Sequence, residues 1–482
     1  MNYSVVIYIL GWIMEIEAAF LALPGIVSAI YGEKGGFAFL WVALGSAVAG
    51  SAIILRKPKN MRFYLREGFV TVALSWILMS VIGCLPFVIN GDIPHFANAL
   101  FETISGFTTT GATVVSDVEG LTKGSLFWRS FSHWIGGMGV LVFLLAIVPM
   151  AGGSHMNLMK AESPGPSVGK LVPKVRQTAK YLYIIYFALT MIEVIFLLFG
   201  GMNLFEALTT SFGTAGTGGF AIWNDGFVSV SPYNQWVVTI FMLLFGVNFG
   251  FYFLILTGKL RDALKFEEVR IYFIIVIAAA VFIFINLRHF ALYAPAEGIR
   301  QAFFQVASII TTTGFASADF NLWPETSRTI LVLLMFIGAC AGSTGGGIKV
   351  SRFIIACKSF IKEIISYLHP RSVKKIKIEG KPLEHETLRA TNVYFMTYMV
   401  IFAVSVLLVS IENKDLVTNF AAVAATFNNI GPGLSLVGPM ANFGHFTDFT
   451  KYILMFDMLA GRLEIFPMML LFCPAVWKRR RA

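Results

Sequence analysis

One motif recurs four times along this chain and limits its fold more than any other feature. A short amphipathic stretch, set between longer apolar segments, ends each time on a glycine: Ala99-Leu-Phe-Glu-Thr-Ile-Ser-Gly-Phe-Thr-Thr-Thr-Gly111, Ala207-Leu-Thr-Thr-Ser-Phe-Gly-Thr-Ala-Gly-Thr-Gly-Gly219, Ala302-Phe-Phe-Gln-Val-Ala-Ser-Ile-Ile-Thr-Thr-Thr-Gly314 and Asn419-Phe-Ala-Ala-Val-Ala-Ala-Thr-Phe-Asn-Asn-Ile-Gly431. Each stretch is too short to cross a bilayer. Between successive glycines the chain accommodates a descending helix, a linker and an ascending helix. The copies are therefore parallel repeats of one unit, which suits pseudo-fourfold symmetry about an axis along the membrane normal.

Composition supplies the membrane. Hydrophobic residues make up 57% of the chain and charged residues 13%, against roughly 45–50% apolar content in soluble domains. Ten apolar segments predict helices over 3–31, 36–56, 68–90, 127–151, 179–201, 234–257, 269–288, 327–365, 390–411 and 448–477. The run Gly338-Ala-Cys-Ala-Gly-Ser-Thr-Gly-Gly-Gly347 interrupts the eighth, because so much glycine disfavours a continuous helix. The expected fold is all-α and polytopic. Two leading helices occupy 1–60, and four helix–pore loop–helix repeats follow over 61–155, 156–260, 261–370 and 371–482, the third with an interrupted inner helix and the fourth with a basic tail.

A net charge of +10 raises the question of nucleic acid, but the Lys and Arg residues lie between apolar segments rather than on one face. Arg56, Lys57, Lys59, Arg62 and Arg66 share one connection. Lys160, Lys170, Lys174, Arg176 and Lys180 share another, and Lys259, Arg261, Lys265 and Arg270 a third. A fourth runs from Lys349 to Arg389, and the tail ends Lys478-Arg-Arg-Arg481. This is the positive-inside pattern. It places these connections and both termini in the cytoplasm and leaves lipid, not nucleic acid, as the surrounding partner. The connections 91–95, 222–232 and 437–447 carry almost no Lys or Arg and belong on the other side. The first apolar segment lacks a cleavage-site pattern and reads as a retained helix. Cys84, Cys340, Cys357 and Cys473 form no C-x-x-C pair and read as small packing residues.

Non-helical backbone at membrane depth is tolerated only where it is buried in protein or lines a water-filled path. Four such loops imply one shared path. A half-membrane helix ending in an extended glycine turn exposes consecutive carbonyl oxygens, and four converging turns replace the hydration shell of a monovalent cation. Close helix packing also favours small residues, but it does not demand the same register four times.

The segments Phe107-Thr-Thr-Thr-Gly-Ala112, Thr217-Gly-Gly-Phe-Ala221, Thr311-Thr-Thr-Gly-Phe315 and Asn428-Asn-Ile-Gly-Pro-Gly433 resemble the four filter loops of the Trk/Ktr/HKT superfamily. The likeness extends along nearly the whole chain, through His133-Trp-Ile-Gly-Gly-Met-Gly139, Gly342-Ser-Thr-Gly-Gly-Gly-Ile-Lys349 and Met458-Leu-Ala-Gly-Arg-Leu-Glu464, and the two leading helices make it strongest to the bacterial TrkH branch. The resemblance implies a filter of Thr110, Gly111, Thr217, Gly218, Gly219, Thr313, Gly314, Asn429, Ile430 and Gly431. Potassium would be held by the carbonyls of Thr110, Gly218, Thr313 and Ile430. It also implies that four filter glycines go with potassium selectivity, whereas serine at the first would admit sodium. Potassium is then the transported ion, with no covalently bound cofactor. The second loop departs from the pattern, with Gly-Thr-Ala-Gly-Thr before its double glycine.

The resemblance further implies an intramembrane gate at Gly342, Ser343, Thr344, Gly345, Gly346 and Gly347, a homodimer, and a cytosolic TrkA-like nucleotide-binding ring acting on a protein of the plasma (inner) membrane. A packing hinge is the other reading of the glycine run. A phosphate-cradling Walker A reading is weaker, because Ile348 stands between Gly347 and Lys349 and a membrane helix precedes the run. Arg462 lies in the last apolar segment, where an arginine costs at least ~2.5–3.5 kcal/mol. It either pairs with Asp457 or Glu464, snorkels to the interface, or forms an electrostatic barrier below the filter, and the resemblance favours the barrier. Glu102 and Glu206, near pore-helix starts, either attract cations or compensate helix dipoles. Glu15 and Glu17 in the first helix and Glu193 in the fifth are further intramembrane acids. His133 and His445 lack metal-ligand spacing and read as satisfied polar residues.

The expected function is potassium uptake down its electrochemical gradient, with no enzymatic step. A sodium- or proton-coupled symporter, or the potassium-translocating subunit of an ATP-driven pump, would share these features. No convergent cluster of nucleophiles, bases or metal ligands points to an enzyme.

Overall fold

The computed structural model describes residues 1–61, 64–147, 175–370 and 375–478. Arg62, Lys160, Lys170, Lys174, the tail arginines 479–481 and the expected repeat boundary at 155–156 lie outside the described residues. The leading helices Tyr3–Ile30 and Gly36–Ile54 pack along one another through small residues, and a Cβ on Gly50 would come within 2.9 Å of the Gly11 carbonyl oxygen.

Each repeat is an outer helix, a short pore helix and an inner helix. In the first these are Leu65–Asn90, Phe96–Phe107 and Lys123–Ile147. In the second, Val175–Phe199 and Leu204–Gly216 are followed by an inner helix split into Pro232–Phe245 and Phe249–Leu256. The third has Glu267–His289, Pro295–Ile310 and the two pieces Glu325–Met335 and Val350–Leu368. The fourth has His385–Val409, Leu416–Phe427, Asp448–Arg462 and Phe466–Leu471. A two-stranded hairpin, Lys377–Ile378 with Lys381–Pro382, lies in the basic connection before the fourth repeat.

Local chemistry explains the pore-helix starts. The Asn203 side chain accepts from Glu206 N while the Glu206 carboxylate accepts from Asn203 N, a reciprocal cap. Asp415 accepts from Thr418 N (2.9 Å), and Pro295 supplies a pre-set φ at the first turn. The pore helices have 12, 13, 16 and 12 residues. Twelve residues rise about 18 Å, well short of the ~30 Å hydrocarbon thickness.

Among the described residues six helices are long and apolar enough to span a membrane, and the bent pair Pro232–Phe245 and Phe249–Leu256 makes a seventh when its two pieces are counted as one span. The continuous helices expected over 234–257 and 448–477 do not form. The first turns by 89° at Gly246-Val-Asn248, where the Asn248 side chain caps the new helix by accepting from Gly250 N (2.7 Å). The last stops at Arg462, and Glu464 and Ile465 take φ of 56° and 71° before Phe466 restarts it. The interruption expected around Gly338–Gly347 is present, between Met335 and Val350. Met1 N donates to the Lys478 carbonyl at 3.1 Å, so the first and last described residues lie on one side of the protein. Cys84 and Cys340 are buried, but Cys357 and Cys473 are exposed, so the packing reading applies only to the first two.

Candidate ion pathway

All four pore helices end in the same backbone motif. A non-glycine residue turns left-handed, one residue intervenes, and a glycine with positive φ follows: Thr109 (54°) with Gly111 (79°), Thr217 (54°) with Gly219 (80°), Thr312 (59°) with Gly314 (85°) and Asn429 (55°) with Gly431 (95°). The intervening N–H reaches back to the helix, from Thr110 to Ser105 O (2.9 Å), Gly218 to Gly213 O (2.8 Å), Thr313 to Ser308 O (2.9 Å) and Ile430 to Ala425 O (2.8 Å). This is a Schellman-type end that satisfies orphan carbonyls of the last turn. The second loop, which departs in sequence, has the same register as the others.

The carbonyl oxygens of the four intervening residues meet the glycines of neighbouring loops. A Cβ on Gly111 would strike the Gly218 oxygen, on Gly219 the Thr313 oxygen, and on Gly314 the Ile430 oxygen, while on Gly431 it would come 2.6 Å from the Thr110 oxygen. The contacts run from loop one to two, three, four and back to one. A closed ring in chain order results, and only glycine fits at these four positions with this backbone.

Side chains behind the loops hold the ring. Nδ1 of buried His133 bonds the Gly106 carbonyl (2.8 Å) and Nε2 accepts from Phe220 N (3.2 Å), joining the first two loops and satisfying both ring nitrogens, as expected of it. Glu102 is buried, pairs with Arg129 (2.8 Å) and accepts from Val114 N (3.0 Å). Arg129 in turn lies 4.2 Å from the Phe220 ring centroid and donates to Ala221 O (3.3 Å). Glu206 serves as the helix cap described above. Asn429 donates to Thr110 Oγ1 (3.0 Å) and to Met458 O (2.9 Å), joining loop four to loop one and to the last inner helix.

On the side of the connections that follow the loops, a cavity of about 120 Å³ is lined by all four glycines, Gly111, Gly219, Gly314 and Gly431, together with Asn224, Ala316 and Asn442. One space therefore reaches the whole ring. On the opposite side the glycine run packs directly beneath it. Gly346 N donates to Thr312 Oγ1 (2.7 Å), and a Cβ on Gly347 would lie 3.1 Å from Asn428 O. Gly342 O accepts from Phe249 N (3.0 Å), Ser343 Oγ bonds Cys340 O (2.6 Å), and Lys349 Nζ folds back on Gly345 O and on Gly346 O (3.1 Å). Arg462 donates to Thr344 O (2.8 Å) and to Gly136 O (2.7 Å), bridging this loop to the first inner helix. Of the ion-pair partners expected for it, Glu464 bonds Arg352, and Asp457 accepts from Ser405 Oγ (2.7 Å). Among the described residues no group of His, Cys, Asp and Glu has the arrangement of a metal site.

Residues 37–479 match the model of a family described as TrkH, cation transport protein. The chain belongs to the TrkH family. It is 36% identical to the Trk system potassium uptake protein TrkH of Escherichia coli over 99% of this chain and 100% of that protein, and 31% identical to TrkG of Escherichia coli over 99% of each. Among solved structures, the crystal structure of the potassium transporter TrkH from Vibrio parahaemolyticus superposes with a TM-score of 0.89 at 32% identity, covering 99% of this chain and 100% of that one. The TrkH family is one of transport proteins, not of enzymes.

Two residues around the candidate pathway of this TrkH-family chain went unread in the sequence. Arg129 carried a usable signal, a charge inside an apolar helix. Glu268 stands at a helix start, where an acid is ordinary, and nothing local distinguishes it.

Proposed function

We propose that this chain takes up potassium through the ring of carbonyls from Thr110, Gly218, Thr313 and Ile430, down the electrochemical gradient. The observation that carries this is the closed ring itself: four oxygens, each against the glycine of the neighbouring preceding loop, beneath one shared cavity. Such a ring replaces a monovalent cation's water shell without side-chain charge. A membrane potential contributes roughly 2.3 kcal/mol per charge per 100 mV, so no chemistry on this chain is needed. The run Gly342–Gly347 and Arg462 form the gate in this reading, because both lie on the inner side of the ring and are hydrogen-bonded to each other. The relatives' membership of a Trk system supports a TrkA-like cytosolic nucleotide-binding partner, and the family resemblance a homodimer. Both termini are assigned to the cytoplasm of the inner membrane, in line with the basic connections and the Met1–Lys478 contact.

The test is potassium flux through purified protein in liposomes, with sodium and proton gradients imposed or removed. Flux that follows the potassium gradient alone, with sodium excluded, supports the gated pore. Flux that requires a second ion gradient, or an added ATPase, replaces it with a symporter or a pump subunit.

A further inference from the structure

The glycine run is held by an acid that does not belong to it. Glu268, in the first turn of the third outer helix, is buried, and its Oε1 accepts from Ala341 N (2.7 Å) and from Ser351 N (2.9 Å). Ala341 lies within the run and Ser351 in the first turn of the helix that follows it, and Val350 N also bonds Ala339 O (3.0 Å), closing the loop's neck. A carboxylate compensating its own helix dipole would face its own first turn. This one instead accepts from amides 73 and 83 residues away. The preceding residue, Glu267, accepts from Lys358 Nζ (2.7 Å), which also donates to Lys377 O (2.8 Å) in the hairpin of the basic connection. One helical turn thus grips the loop, the helix that follows it and a segment outside the membrane.

We infer that Glu268 is a positioning residue that clasps Ala341 of the Gly338–Gly347 loop to the start of the helix that follows it and so holds the loop across the pathway. The inference rests on the pore reading for its effect on flux, but not for its effect on the loop. Charge-assisted hydrogen bonds to backbone N–H are about twice as strong as neutral ones. Loss of the carboxylate therefore shifts the loop toward open states while the ring, which Glu268 does not touch, keeps its geometry.

Cys340, buried inside the loop, reports its opening, and buried Cys84 in the first repeat reports global loosening. With the exposed thiols removed by Cys357→Ser and Cys473→Ser, the full chain is treated with a water-soluble maleimide. Glu268→Ala is expected to speed Cys340 labelling about tenfold, a 1.4 kcal/mol shift in the loop's opening equilibrium, with Glu268→Gln between it and the parent and Cys84 still protected. Potassium leak should rise in the same order at an unchanged potassium-to-sodium ratio. Unchanged Cys340 protection would overturn the clasp, as would equal exposure of Cys84, which would reduce Glu268 to a general structural residue. If the parent conducts no potassium, the pore reading fails while the labelling still decides on the clasp.

Discussion

Asn429 in the fourth loop donates its side-chain amide to Thr110 Oγ1 in the first at 3.0 Å, across 319 positions of chain. The same amide group reaches Met458 O, and Asn429 is itself left-handed at φ 55°, a conformation asparagine tolerates better than most residues. Asn429→Ala removes both bonds and adds backbone cost, so a loss of about 1–3 kcal/mol is expected. The readout is the thermal unfolding midpoint in detergent, which should fall, and fall less in high potassium if the ring binds that ion.

At Gly111 any side chain collides with the Gly218 oxygen. Gly111→Ser should therefore displace one oxygen of the ring and erode discrimination of potassium against sodium, measured as relative permeability in liposomes. An unchanged ratio would remove Gly111 from the filter.

Arg462 joins Thr344 of the glycine run to Gly136 of the first inner helix. Removing it in Arg462→Ala both frees the loop and deletes a positive charge beneath the ring, so basal flux should rise. Arg462→Lys should fall between, because an ammonium lacks the planar fork that spans two carbonyls. Normal or reduced flux at normal expression would count against the barrier.

The Glu102–Arg129 pair is buried on both sides, at 0% and 2% side-chain exposure. Breaking such a pair leaves an uncompensated charge and costs about 3–5 kcal/mol. Arg129→Gln should lower the folded yield on size exclusion far more than Glu206→Gln, whose carboxylate only caps an exposed helix start. Equal yields would show that Arg129 is not holding the loops.

The repeats were legible because each copy had to end a half-membrane helix in a turn that only threonine, asparagine and glycine chemistry permits, and that chemistry is local. The break at Gly338–Gly347 was legible for the same reason. The bend at Gly246-Val-Asn248 was not, since its flanks stay continuously apolar, and the stop at Arg462 was not, since Glu464 and Ile465 carry no glycine signal for their positive φ. Cys357 and Cys473 misled because an apolar neighbourhood in a membrane protein includes the surface that faces lipid.

By itself the sequence determined the membrane, the four parallel units and the positions of the glycines that close their turns, because hydropathy, charge and turn propensity act over a few residues. Tertiary structure alone decided which oxygen meets which glycine, that Arg129 answers Glu102, and that Glu268 reaches Ala341 and Ser351. Those pairings join residues from different helices. Their partners are chosen by how the helices pack, which no short stretch of chain encodes.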